Sequence, residues 1–285
     1  MIQHGPGDPT TRVNEAEAWR TARTPDGPGT IALRRGDDGI TAEAFGPGGN
    51  WLLDRAGQLV GAEDDPAALL PLHDVVAVAA QRFPGLRLPR TNAVVHELVV
   101  AILGQRVTAI EAVGAWRGLC RAASEPAPGP GDLLLPPDPD VLAGQPYWWY
   151  HRFGVDRRRA ETIKRVAARA ARVEALASPS TTTTTTLAEA ADQLRRHIGI
   201  GPWTIGKVLG VALGDPDAVC EGDFHLPNLV AWALAHEPRA DDARMLELLE
   251  PYRGQRGRVI RLLEQSGVTA PKYGPRRPIS PITHR

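Results

Sequence analysis

The sequence predicts a mainly α-helical protein with a small β-rich N-terminal domain, α+β overall. Three observations carry this reading. Residues 15–60 are broken repeatedly by Gly and Pro, with only short extended segments between the breaks. From about residue 66 onward, apolar residues recur at helical intervals. A chain of 285 residues with 42% hydrophobic and 23% charged content can bury a sizeable core.

Taken in order, "TPDGPGT" and "FGPGGN" mark turns around "GTIALRRG" and "GITAEAFG", which suit brief antiparallel strands better than helices. The character changes after "AEDDPAALL". "PLHDVVAVAAQRF" and "AVVHELVVAILGQRVTAIEAVGAWRGLC" place apolar side chains every three or four positions, as one face of a helix requires. Loops are marked at "SEPAPGPGDLLLPPDPD" and "ASPSTTTTTTLAEAA". The run Thr181 to Thr186 reads as an exposed connection whose last members cap a helix starting near Leu187. The tail "TAPKYGPRRPISPITHR" is too rich in proline for a helix and reads as disordered. The expected organisation is a β-rich domain over residues 1–70, an all-helical domain over 71–268 and the tail over 269–285.

Composition narrows the function classes. The opening "MIQHGPGDPT" lacks a basic n-region and an apolar h-region, and no run approaches the roughly 20 apolar residues that span a bilayer, so a cytoplasmic protein without a membrane partner is expected. Cys120 and Cys220 are the only cysteines and form no CxxC pair, which supports neither a disulfide framework nor an iron–sulfur cluster. They read as buried thiols. The formal net charge of +0 is unevenly spread: residues 1–80 hold 6 Arg and 12 Asp plus Glu, leaving 27 basic and 21 acidic residues for the rest. Basic residues cluster in "DRRRAETIKRVAARAAR", "QLRRHIG" and "YRGQRGRVIR". Each run alone reads as a solvated helix face; three runs flanking one glycine turn suit a polyanionic partner.

That turn lies in "HIGIGPWTIGKVLG". The helix "LAEAADQLRRHI" runs into Gly199, and Gly199 and Gly201 around Ile200 break it, because glycine readily adopts φ > 0. Pro202 then stands where a helix can begin without its missing N–H. The result is a helix, a tight hairpin and a helix over residues 187–214. The free N–H groups and positive dipole end of the second helix form a ready phosphate site, which glycine leaves unobstructed. The pattern alone reads equally well as a plain helix–helix connection. Beyond it, Asp223 precedes a helix that starts near Leu226. An Asp there is either an N-cap or a carboxylate placed for chemistry on a nucleotide held by the hairpin.

Three ordered blocks, "FPGLRLPRTNAVVHELVVAILGQRVTA", "LRRHIGIGPWTIGKVLGVAL" and "GDFHLPNLVAW", make the chain resemble the helix-hairpin-helix superfamily of DNA glycosylases, in detail the 3-methyladenine DNA glycosylase II type. The resemblance covers roughly residues 70–265, and the β-rich N-terminus resembles that type in shortened form. It implies a helix-hairpin-helix DNA glycosylase fold and a monofunctional enzyme of base excision repair. Such an enzyme flips a damaged base out of double-stranded DNA and hydrolyses its N-glycosidic bond, here with cationic 3-methyl- or 7-methylpurines as the implied substrates.

The same resemblance implies roles for individual residues. Asp223 matches the catalytic carboxylate, which stabilises the oxocarbenium-like sugar and orients or deprotonates water. Trp203 stands where bifunctional members carry a Lys nucleophile; without that amine no Schiff base forms and no lyase step is expected. Lys207, one helical turn on, is the only nearby amine and so the one residue that could upset this inference; it is read as lining the base pocket or contacting DNA. The main-chain carbonyls of Arg195, His197 and Gly199 match those that hold a structural Na+ or K+, and no other cofactor is implied. Gln105, Arg106, Gly199, Ile200, Gly201, Pro202 and Thr204 form the DNA-facing set, Arg106 either as a wedge in the vacated stack or as a phosphate contact. A monomer is expected.

Substrate choice rests on the pocket. Trp203 suits stacking and cation–π contact with a cationic base. Trp149 and His151 in "PYWWYHRFG" read either as further pocket surface or as core packing beside a turn. In "GQRGRVIRLLEQ", Arg261 and Leu262 stand where the resembled type offers aromatics, which leaves the range of bases open. Two other readings stay in play: a non-catalytic module that binds damaged DNA, which gives no reason for an Asp at that place, and a glycosylase for another lesion class.

Overall fold

The computed structural model describes residues 3–177 and 184–271. Four strands, β1 (Thr11–Val13), β2 (Glu17–Thr24), β3 (Gly27–Gly36) and β4 (Gly39–Phe45), form one antiparallel sheet in chain order. Two-residue links join β2 to β3 and β3 to β4, with Thr24 paired to Gly27 and Gly36 to Gly39. Gly27 and Gly39 carry φ of +115° and +136°, a region that side chains resist. The helices α1 (Gly49–Leu53) and α2 (Ala56–Leu59) cover the sheet, packing Leu52 and Leu59 on Ala22, Ile31 and Leu33. The expected segments "GTIALRRG" and "GITAEAFG" fall in β3 and β4. β2 escaped the pattern because "EAWRTART" carries polar residues whose partners are internal; Arg20 is only 1% exposed.

The rest is helical: α3 (Asp74–Arg82), α4 (Val94–Leu103), α5 (Ala109–Ala123), α6 (Pro139–Gly144), α7 (Arg157–Ala167), α8 (Ala170–Glu174), α9 (Thr184–Arg195), α10 (Pro202–Ala212), α11 (Leu226–Ala235), α12 (Asp242–Leu249) and α13 (Arg256–Ser266). α9 begins at Thr184, inside the threonine run and ahead of the expected Leu187. Residues 181–183, where the run was expected to form an exposed connection, lie outside the described residues, as do residues 272–285 of the proline-rich tail.

The helical part has two cores. One unites Leu98 and Ile102 of α4, Trp116 and Leu119 of α5, Ile163 of α7, Leu194 of α9 and Val208 of α10. The other unites Val76 of α3, Val230 of α11, Met245 and Leu249 of α12, and Val259 and Leu263 of α13. Trp203 packs against both and so sits on the seam between them.

Polar contacts fix the elements that meet at this seam. Glu174 accepts the N–H groups of Val94 and Val95 at 2.8 and 3.0 Å, capping α4, and burial pushes its carboxyl up to about 7. At the other end of α4, buried Arg159 donates to the Leu103 carbonyl at 2.8 Å. The strap before α4 hydrogen-bonds to the end of α10, Thr91 N–H to Val211 O at 3.1 Å and Asn92 N–H to Ala212 O at 3.0 Å. The sheet and the segment before it are tied to the helical part by Arg20 on Glu97 of α4, by Trp116 of α5 on Asp8 and by the Thr21 hydroxyl on Leu134 O in the loop between α5 and α6. Cys120 and Cys220 are buried free thiols. Among the described residues no helix is long and apolar enough to cross a membrane.

Candidate active site

The two hairpin glycines serve different ends. Gly199 has φ +97°, and a Cβ there would lie 2.2 Å from Thr162 Oγ1 of α7. Gly201 is extended, caps α10 and would leave a Cβ with nothing within 4 Å. Ile200 between them is buried and donates its N–H to His197 O at 3.0 Å. Pro202 opens α10, and Ile205 donates back to Gly201 O at 3.0 Å, so the N–H groups of Trp203 and Thr204 stand at an open, positively polarised helix end.

Gln105, just past α4, donates one amide group to both Gly199 O at 3.0 Å and Thr204 Oγ1 at 2.9 Å. It thus buttresses the hairpin from behind. Gly199 O and His197 O each accept one such bond and keep a second lone pair, so they retain capacity for a cation. Arg106, the next residue, is exposed and held at φ +59°, an uncommon conformation for a side-chain-bearing residue.

The basic runs do not behave alike. Partial burial, aided by the charges of Arg169 and Arg172, lowers the His197 imidazole, which places the first run beside the hairpin. In the third run Arg253, Arg256, Arg258 and Arg261 pair with Glu250, Asp217, Asp64 and Glu264. That run is neutralised within the fold.

Asp223 stands at the mouth of the hairpin in the turn before α11. Its Oδ2 accepts the indole N–H of Trp203 at 2.9 Å, and its Oδ1 accepts the N–H groups of His225 and Leu226 at 2.8 and 3.2 Å. Asp223 thus accepts the first N–H groups of α11, whose N-cap residue is His225, and is oriented by the Trp203 indole. Partial burial works against ionisation, but the Trp203 bond, the two main-chain N–H groups and the Lys207 ammonium outweigh it and hold the carboxyl below its usual range. A Cβ on Gly104 would come within 3.2 Å of the Trp203 ring, so the indole is clamped between the end of α4 and the carboxylate. Lys207 Nζ lies 5.7 Å from the centre of that ring.

Beside Asp223 opens a cavity of about 80 Å³ lined by Gly206, Lys207, Cys220, Leu226, Arg261 and Glu264. Burial pushes the Cys220 thiol up to about 11. Phe224, next to Asp223, is 85% exposed.

Trp149 and His151 sit in a different setting. They belong to a 3₁₀ turn, Tyr147–Phe153, in which Trp149 packs edge-on to Tyr150 and Phe153 with Arg152 over its face, and His151 packs on Tyr147. Tyr150 is fully buried, its hydroxyl donating to Leu142 O. These contacts join α5, α6 and α7 and do not reach Asp223.

Sequence reading overlooked the buttress made by Gln105, the wall made by Thr162 and the exposed Phe224. An apolar residue directly after a loop Asp was the one available signal for Phe224; nothing local marks Thr162.

Replacing Trp203 with Phe keeps the packing and removes the donor to Asp223. The carboxyl should then titrate at higher pH, so the acid limb of a pH–activity profile is expected to move upward; an unmoved limb would show that the indole does not tune Asp223.

No protein-family model matches the chain, and no curated protein does. Solved structures do. The chain is similar to a 3-methyladenine DNA glycosylase from Archaeoglobus fulgidus, with a TM-score of 0.74, 19% identity, and 90% of this chain and 89% of that one covered. It is similar to an 8-oxoguanine glycosylase/lyase from Clostridium acetobutylicum in complex with DNA, with a TM-score of 0.65, 10% identity and coverage of 90% and 98%. A third is the 3-methyladenine DNA glycosylase of Schizosaccharomyces pombe in complex with abasic DNA, with a TM-score of 0.55, 14% identity and coverage of 77% and 100%. The chain has the fold of the helix-hairpin-helix DNA glycosylases.

Proposed function

We propose that this protein is a monofunctional DNA glycosylase that removes alkylated purines from damaged double-stranded DNA. The observation that carries the proposal is the Asp223–Trp203 pair: an ionised carboxylate, oriented by an indole N–H at 2.9 Å, at the mouth of a glycine hairpin. The open end of α10 takes a DNA phosphate, which brings the adjoining sugar to Asp223 once the nucleotide leaves the stack. As the N-glycosidic bond breaks, its electron pair departs with the base and positive charge grows on the sugar, where the carboxylate stabilises it. Water then adds to the sugar carbon and gives up its proton to Asp223.

A cationic 3- or 7-methylpurine leaves as a neutral molecule and needs no acid, so a site whose reacting group is a single carboxylate suffices for it. Phe224 offers such a base an exposed aromatic face. Trp203 in the hairpin position supports hydrolysis over Schiff-base chemistry. A monovalent cation on the carbonyls of Arg195, His197 and Gly199 belongs to the proposal as a structural tie for the hairpin. Monomeric action in the cytoplasm is likewise proposed.

Lys207 favours a second reading. An ammonium in the cavity stabilises negative charge on a departing neutral base, which suits a deaminated or oxidised purine.

Purified protein incubated with methylated duplex is expected to release free methylpurine, detected by chromatography. Release only from duplex carrying a neutral lesion would favour the second reading. Retained, salt-sensitive binding with no release from either substrate would reduce the protein to a damage-binding module.

A further inference from the structure

A buried polar cluster lies where the N-terminal segment meets α4. It contains His4, His96 and Glu97, whose ligand-type atoms all lie within 4.8 Å of one another. His96 is 6% exposed, and neither of its ring nitrogens has a hydrogen-bond partner. His4 Nε2 faces Glu97 Oε2 at 3.2 Å without the geometry of a hydrogen bond. An imidazole carries at least one N–H, and burying one unmatched costs about 1–3 kcal/mol.

We propose that His4, His96 and Glu97 form a binding site for one divalent transition-metal ion, zinc by the chemistry of its donors. Two imidazoles and a carboxylate are a recurrent zinc set, and bonds of about 2.0–2.1 Å place tetrahedral ligand atoms about 3.3–3.5 Å apart. The His4–Glu97 separation already matches that spacing, and small ring rotations bring in His96.

The surroundings supply the supporting contacts that such sites use. Glu97 Oε1 accepts from Arg20 at 2.8 Å and from Thr91 at 3.2 Å, which fixes the carboxylate and leaves Oε2 for the ion. The His4 backbone N–H donates to Asp8 Oδ2 at 2.9 Å, and Trp116 donates to Asp8 Oδ1 at 2.9 Å while stacking on His96 at 4.8 Å. The carboxylates of Glu97 and Asp8 outnumber the Arg20 guanidinium, which leaves the cluster anionic before the ion arrives. The bound ion would pin the N-terminal segment to α4, whose other end leads into Gln105 and the hairpin.

The test uses tag-free full-length protein, stripped with chelator and titrated with Zn²⁺ against a chromophoric competitor. One ion per chain is expected, with a rise in the thermal midpoint. Co²⁺ in its place should give the intense visible bands of a tetrahedral N,O site. His4→Ala and His96→Gln, checked for native far-UV dichroism, should each weaken uptake by at least about 100-fold. No stoichiometric uptake by the wild-type chain, or uptake and cobalt bands unchanged in folded His4→Ala and His96→Gln, would overturn the site and leave the cluster a metal-free polar network.

Discussion

Asp223→Asn is expected to lower the single-turnover rate of base release by about 10²–10³-fold, equivalent to about 2.7–4 kcal/mol of lost transition-state stabilisation, while leaving DNA affinity nearly unchanged. Asparagine is close in shape and can still cap α11, but it has one acceptor oxygen where Asp223 uses two. Either the Trp203 indole or the His225 and Leu226 N–H groups lose their partner, a stability cost of about 1 kcal/mol. The negative charge, which the mechanism requires opposite the developing sugar cation, is gone entirely. Because the folded carboxyl titrates below its usual range, it contributes stability that is present above the unfolded carboxylate pKa and lost as pH falls through the folded value. The Asn variant should therefore show a flatter loss of stability toward acid. Wild-type excision rates in a folded Asp223→Asn protein would remove Asp223 from the mechanism.

Gly199→Ala is expected to be strongly destabilising. The new methyl would stand 2.2 Å from Thr162 Oγ1 and 2.9 Å from its Cγ2, at φ +97°. Overpacking and left-handed strain each cost about 1–3 kcal/mol. Together they should lower the thermal midpoint by roughly 5–15 °C. Adding Thr162→Ala removes the two closest atoms and should restore part of the loss. Gly201→Ala is the control: its Cβ meets nothing within 4 Å and its backbone is extended. Its midpoint should hold while DNA affinity falls, because a methyl would now stand at the open end of α10. Equal midpoints for the two variants would contradict the division of labour between the glycines.

The hairpin was legible because its signals are local. Two glycines, a proline and a following apolar period dictate helix, turn and helix whatever surrounds them. The β3–β4 hairpin was legible for the same reason. What stayed hidden depends on pairing across the chain. Trp203 read as a stacking surface; its contacts with Gly104 and Asp223, partners 99 and 20 positions away from it in sequence, were not legible. The last basic run read as surface charge, yet Arg258 is buried on Asp64. His96 and Glu97 sat inside an apolar helix pattern, "AVVHELVVAIL", where polar residues at buried positions were the only hint of the cluster with His4. The aromatic run around Trp149 was legible as packing or pocket but not as one of the two, since the choice depends on which helices it meets.

The most direct test of hydrolysis at Asp223 is excision from methylated duplex DNA with sodium borohydride present, reading free base by chromatography and protein–DNA adducts by denaturing gel. The expected result is free methylpurine, no covalent adduct, and strand breaks only after alkali. A trapped adduct that disappears in Lys207→Gln would instead assign the chemistry to an amine and contradict a hydrolytic, monofunctional enzyme.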